Sequence, residues 1–291
     1  MTMKTRLRIA LAQISPKLGN LSSNIELHCA WIDRALAAGA ELIVFPELSL
    51  TGYILQDLVP DLAIPGSQPP VLQPLLDRTQ SIACIFGYVE VSDNFNFYNS
   101  AAYASAGKIS HIHRKLYLPT YGMFDEKRFF AQGEALRTFP TAWGELGILI
   151  CEDLWHPSTI HLLALDGAAA IIVPSCSPGR GVREETLFAT SEGWENLLKT
   201  SAQFQTVYNL YVNRVGFEDG AHFPGGSMVV DQSGQVVARA KYFEEDLLVY
   251  ELDLEEVRRA RLFTPVLRDE RIDLTLRELK RIVDKRNENQ L

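Results

Sequence analysis

No apolar stretch in this sequence approaches the roughly 20 residues that a membrane-spanning helix requires. Cysteine is scarce: Cys29, Cys84, Cys151 and Cys176 lie far apart and form no C-x-x-C pair. That spacing fits neither a zinc ribbon nor a disulfide framework, and it suits a reducing compartment. The first eight residues are charged and lead straight into an alternating stretch, so no secretory leader is expected and a cytoplasmic location is. Long runs of one charge are also missing. The net charge of −8 is spread along the chain, which argues for solubility and against nucleic acid or membrane as a partner. No linker and no internal repeat divides the 291 residues.

What is present is a regular interleaving of strands and helices. A content of 47% hydrophobic residues at this length can bury a large core. Strands are expected over 7–13, 42–45, 82–90, 168–173, 210–215 and 247–252, and hairpins over 98–113 and 228–238, the latter turning at Ser233-Gly234. Helices are expected from a capping box of Ser23 and Glu26 to about residue 38, then over 158–165, 194–206, 254–262 and 274–285. The segment 60–74 is spotted with proline and reads as loop. A long aromatic and charged loop covers 114–133, and loops of that length in compact domains are usually functional. The economical expectation is one α/β domain over 1–291, with a C-terminal tail or helix from about residue 265.

Three apolar strands end abruptly in a reactive group. Residues 146–150 read Leu-Gly-Ile-Leu-Ile and are followed by Cys151, Glu152 and Asp153. Residues 42–46 read Leu-Ile-Val-Phe-Pro and are followed by Glu47; Lys115 comes one residue past the strand at 108–113. Open α/β folds place their chemistry at such strand ends. Taken singly, each residue has an ordinary reading: a free cysteine is mostly core filler, and Glu and Lys are mostly surface. Together they supply what amide cleavage needs, namely a thiol with a base, a cation for a developing oxyanion and a proton for the leaving nitrogen. Three other constellations were weighed. His111 and His113 share one strand face and could begin a zinc site, but no third ligand accompanies them. His156 lies close behind Cys151 and could serve a Cys–His hydrolase, which leaves Glu47 unexplained. Cys176 is a second thiol at a strand end.

The blocks Phe45-Pro46-Glu47-Leu48, His113-Arg114-Lys115-Leu116 and Leu149-Ile150-Cys151-Glu152-Asp153 resemble the three signature blocks of the nitrilase superfamily of carbon–nitrogen hydrolases. The resemblance covers essentially the whole chain. It implies a four-layer αββα sandwich of two mostly six-stranded sheets, usually paired into a homodimer through the helices beside the cysteine strand. It also implies a thiol-dependent amidohydrolase that needs neither metal nor other cofactor. Glu47 would act as base, Cys151 as nucleophile, and Lys115 with the Glu152 backbone N–H as oxyanion donors. Glu126 would be a second carboxylate orienting the lysine and the substrate. Within the superfamily the wording 45–53 and 115–124 is most similar to the glutaminase domains of glutamine-dependent NAD synthetases. That branch places Tyr53, Tyr121, Phe124, Glu152, Ser177 and Arg183 around its substrate, which points to glutamine. Other short amides, carbamoyl amines and nitriles remain alternatives, as does a catalytically silent scaffold of the same fold. No G-x-x-x-x-G-K and no Ser-Gly-Gly loop is present, so the expectation is a free-standing glutaminase that passes ammonia to another protein, of which a separate synthetase is one candidate, or releases it.

Overall fold

The computed structural model describes residues 4–65, 69–181 and 188–288. Its first strand, Arg6–Gln13, shows how the sandwich is made. Leu7, Ile9 and Leu11 point into a core shared with the second sheet, and Ala10 and Ala12 face the helix Leu21–Ala37 on the other side. Period-two alternation thus serves two apolar faces at once.

In spatial order the first sheet runs Asp246–Asp253, Arg6–Gln13, Leu42–Val44, Ala83–Val91, Phe97–Ser105, Lys108–Arg114. A two-residue strand, Ile64–Pro65, adds to Ala83–Val91 and raises the expected six strands to seven. The second sheet runs Val236–Arg239, Met228–Val230, Tyr208–Asn213, Ala170–Ser175, Gly144–Ile148, Phe139–Thr141. Leu21–Ala37 and Gln73–Arg78 cover the outer face of the first sheet, and Pro157–Leu165 and Ala189–Gln205 cover the second. The layers are α, β, β, α, as expected. Within the second sheet, Gly144–Ile148, Ala170–Ser175 and Tyr208–Asn213 are mutually parallel, so their carboxyl ends share one edge.

Several details differ from the sequence reading. The helix at 21 is capped by Asn20, whose side chain accepts from the Ser23 N–H; Ser23 therefore lies inside the first turn and opens no capping box. The strand before Cys151 ends at Ile148, and Cys151–Trp155 forms a 3₁₀ turn. The 114–133 loop contains one helical turn, Glu126–Phe129. A short hairpin, Val215–Glu218 with Ala221–Pro224, went unread although its corner is Asp219-Gly220, both at positive φ as a tight hairpin turn requires. The last helix, Ile272–Glu288, has no buried residue, and Leu276, Leu279 and Val283 on it are largely exposed. Among the described residues no helix is long and apolar enough to cross a membrane.

Candidate active site

Glu47 sits in the turn that follows the strand Leu42–Val44. Phe45 N–H still donates to the Ile85 carbonyl, Pro46 then stops the ladder, and Leu48 takes a left-handed φ of 46° to swing the chain back. The turn lies flat on the neighbouring strand, where Leu50 N–H donates to the Gly87 carbonyl. A Cβ at Gly87 would stand 2.3 Å from the Leu48 nitrogen, so only glycine admits the approach. The buried carboxylate gathers three donors. Oε1 accepts from Asn99 Nδ2 at 2.8 Å and from Lys115 Nζ at 2.7 Å, and Oε2 accepts from the Cys176 N–H at 2.8 Å.

Lys115 is fixed at its backbone before its side chain acts. Its N–H donates to the Asn99 carbonyl, and its own carbonyl accepts from Gly133 N–H. The ammonium then bridges Glu47 and Glu126, each at 2.7 Å, with no exposure of the side chain. Burial alone would push this lysine down, but Glu126, Glu47 and the Cys151 sulfur hold it well above its ordinary range. It is a permanent cation. Glu126 also accepts from the Tyr53 hydroxyl at 2.5 Å, while its Oε2 is buried with no partner among the described residues. Burial lifts its carboxyl to about 7, against the downward pull of Lys115 and with an upward push from Glu47.

Cys151 has φ of 47°. A non-glycine residue in that region costs on the order of 1–3 kcal/mol and persists where its surroundings impose it. Burial, and next the negative field of Glu47, push the thiol well above its ordinary range, with Lys115 opposing. The resting sulfur is therefore held as the thiol. It opens into a cavity of about 450 Å³ whose wall includes Tyr121, Phe124, Glu152, Ser177, Arg180 and Trp194. Glu152 accepts from the Tyr121 hydroxyl at 2.7 Å. Ser177 donates its N–H to Asn213 Oδ1, and its hydroxyl accepts from Trp194 Nε1 at 2.7 Å and is also bonded to the Tyr211 side chain. The Arg180 guanidinium lies 5.0 Å from the Phe124 ring centre.

Glu47, Lys115, Glu126 and Cys151 thus converge from four separate segments, and Tyr121, Phe124, Glu152 and Ser177 share the cavity of the thiol. Tyr53 is placed differently from its expected substrate contact: its hydroxyl points at Glu126, and it borders a second cavity of about 240 Å³ together with Phe124 and Glu126. Arg183 lies outside the described residues. Asn99 and the backbone of Cys176, which aim Glu47, were not foreseen; a lone asparagine in a strand carries no signal of that kind. The histidines of the rival constellations have other partners. His113 binds Asp153, His111 stacks on Phe139, and His156 stacks on Tyr117. Among the described residues, no group of three or more His, Cys, Asp or Glu could hold a metal ion. The Cys176 thiol donates to the Glu47 carbonyl at 3.1 Å.

Residues 8–262 match the family model Carbon-nitrogen hydrolase. The chain belongs to that family. This carbon–nitrogen hydrolase is 35% identical over 267 residues to the glutamine-dependent NAD(+) synthetase of Thermotoga maritima, an alignment covering 89% of the chain and 44% of that relative. It therefore spans less than half of the relative's length. Among solved structures, a carbon–nitrogen hydrolase from Helicobacter pylori G27 superposes with a TM-score of 0.85 at 27% identity, covering 95% of this chain and 99% of that one. A mutant amidase from Nesterenkonia sp. AN1, with the acetamide moiety of fluoroacetamide added covalently at its active-site cysteine, superposes at 0.76 with 25% identity over 93% and 96% of the two chains. The protein is an enzyme of the nitrilase superfamily, acting on carbon–nitrogen bonds other than peptide bonds.

Proposed function

We propose that this hydrolase cleaves the side-chain amide of glutamine through a Cys151 thioester and releases ammonia. The observation that carries the reading is the bridge of Lys115 between Glu47 and Glu126 in the electrostatic reach of a buried thiol. Glu47 takes the thiol proton as Sγ attacks the amide carbon. The negative oxygen so formed is met by the Lys115 ammonium and by the Glu152 N–H, which lies in the first turn of a 3₁₀ helix and has no carbonyl partner within it. Glu47 passes its proton to the nitrogen as the C–N bond breaks and ammonia departs. It next takes a proton from water, whose oxygen attacks the thioester, and the thiol is reprotonated as the carboxylate product leaves.

Glutamine suits the wall chemistry. Glu152 offers a carboxylate to an α-ammonium, Ser177 offers a hydroxyl, and a guanidinium at Arg180 stands across the same cavity. The similarity to NAD synthetases of which this chain matches under half points the same way, with a separate synthetase as the ammonia acceptor. This reading treats 1–291 as one hydrolase unit of cytoplasmic location, working as a homodimer. Its pairing surface is the exposed Trp155, Leu162 and Phe204 on the elements beside the cysteine turn. A screen of ammonia release from glutamine, ω-amides, carbamoyl amines, nitriles and simple amides tests the assignment. Turnover of glutamine well above the others supports it. A preference for a simple amide or a nitrile replaces glutamine, and no release from any of them leaves a silent scaffold.

A further inference from the structure

Asp153 is fully buried two residues past the nucleophile, and its carboxylate receives four donors. Oδ1 accepts from the N–H groups of Leu116 and Tyr117, both at 2.9 Å. Oδ2 accepts from the Ile150 N–H at 3.0 Å and from the His113 ring Nε2 at 2.9 Å. These donors belong to two segments only. Ile150 immediately precedes Cys151, whereas His113, Leu116 and Tyr117 bracket Lys115 on both sides. The two segments come from different sheets, since Lys108–Arg114 lies in the first and Gly144–Ile148 in the second. The same turn must also hold the left-handed φ of Cys151, and the Ile150 bond fixes the peptide that enters it.

We propose that Asp153, with His113 as its side-chain donor, is a positioning residue that joins the lysine segment to the cysteine turn. It sets the spacing between the Lys115 ammonium and the Cys151 sulfur and touches no substrate itself. The inference rests on the roles given above to Cys151 and Lys115. The chemistry of the joint is specific to a carboxylate. An amide of the same shape offers one oxygen acceptor and two N–H donors, so at least one backbone N–H would confront another donor even if the His113 ring changed tautomer to accept. Reactive geometry is sensitive to such a shift, because a displacement of about 1 Å can cost about 100-fold in rate.

The test uses the full chain and two rates, each expressed per folded protein as measured by circular dichroism. One is alkylation of Cys151 by iodoacetamide, followed at its own peptide by mass spectrometry; the other is steady-state ammonia release. Asp153→Asn is expected to lower both the alkylation rate and kcat by about 100-fold while KM moves by less than about twofold. Rates per folded protein within about twofold of wild type overturn the proposal, since a purely structural role changes only the folded fraction. If Asp153→Asn does not fold, His113→Phe and His113→Gln decide. Loss in the first with recovery in the second, which restores a donor, supports the joint; equal rates in both overturn it. Alkylation requires no substrate, so the two readings fail separately. A wild type that releases no ammonia, with alkylation slowed in Asp153→Asn, sinks the hydrolytic reading and keeps the positioning one.

Discussion

Cys176 donates its backbone N–H to Glu47 Oε2 at 2.8 Å across 129 positions of sequence, and its thiol donates to the Glu47 carbonyl at 3.1 Å. The Glu47 carboxylate is thereby aimed by the end of the strand Ala170–Ser175, in the sheet opposite its own. The relationship also separates the two thiols at strand ends. Cys176 braces Glu47, and Cys151 opens onto the cavity. Cys151→Ala is therefore expected to abolish ammonia release while the protein stays folded, whereas Cys176→Ala keeps the N–H and retains turnover at a reduced rate. Turnover and circular dichroism on both variants check this, and turnover that survives in Cys151→Ala removes the nucleophile.

Lys115 bridges two buried carboxylates. Lys115→Met is expected to raise the barrier by about 2 kcal/mol or more, as loss of an oxyanion donor does. It also leaves Glu47 and Glu126 uncompensated, for which a stability loss of about 3–5 kcal/mol is expected. Steady-state kinetics and denaturant unfolding read the two effects separately; a wild-type kcat contradicts the oxyanion role.

Glu126 makes stability depend on pH in a defined direction. Its carboxyl is raised from 4.5 to about 7 in the folded protein, chiefly by burial, so the folded state prefers the protonated form more than the unfolded state does. The contribution is fully present below about 4.5 and is lost as pH rises through about 7. The loss amounts to about 3 kcal/mol, and Glu126→Gln, which cannot ionise, is expected to be free of it. Urea unfolding of both proteins at several pH values is the measurement. Parallel stability curves for the two would show that Glu126 does not titrate in this window.

Glu152 is the acidic group in the wall of the thiol's cavity, and it accepts from Tyr121. If it holds an α-ammonium, Glu152→Gln loses a charge-assisted bond of about 1.5–3 kcal/mol. KM for glutamine is then expected to rise by roughly tenfold or more, with a much smaller change for a simple aliphatic amide. An equal rise for both amides rules out the ammonium contact.

Gly87 admits no side chain where the Glu47 turn crosses it, because its Cβ would meet the backbone of Pro46 and Leu48. Gly87→Ala is expected to lower kcat and stability together by displacing the base. The position carries no catalytic group, so a wild-type kcat in a folded Gly87→Ala protein would show that the turn can shift without consequence.

The residues themselves pointed to one α/β domain and marked the candidate reactive groups, and family wording added the layered sandwich. Period-two and continuous apolar runs fix which strands are buried on one face or on both, and the sudden charge after each run marks where chemistry can stand. Glu47, Lys115 and Cys151 were legible for that reason, and Glu126, Tyr121, Phe124, Glu152 and Ser177 through family wording. Which groups hold them is visible in the folded chain alone. Asn99, the Cys176 N–H, Gly87, and Asp153 with His113 act across sheets or strands that pair far apart in sequence, and a hydrogen bond between distant segments leaves no periodic trace in either. Tyr53 shows the same limit in a residue that was foreseen: its identity was readable, but its partner, Glu126, depended on how two loops fold over each other.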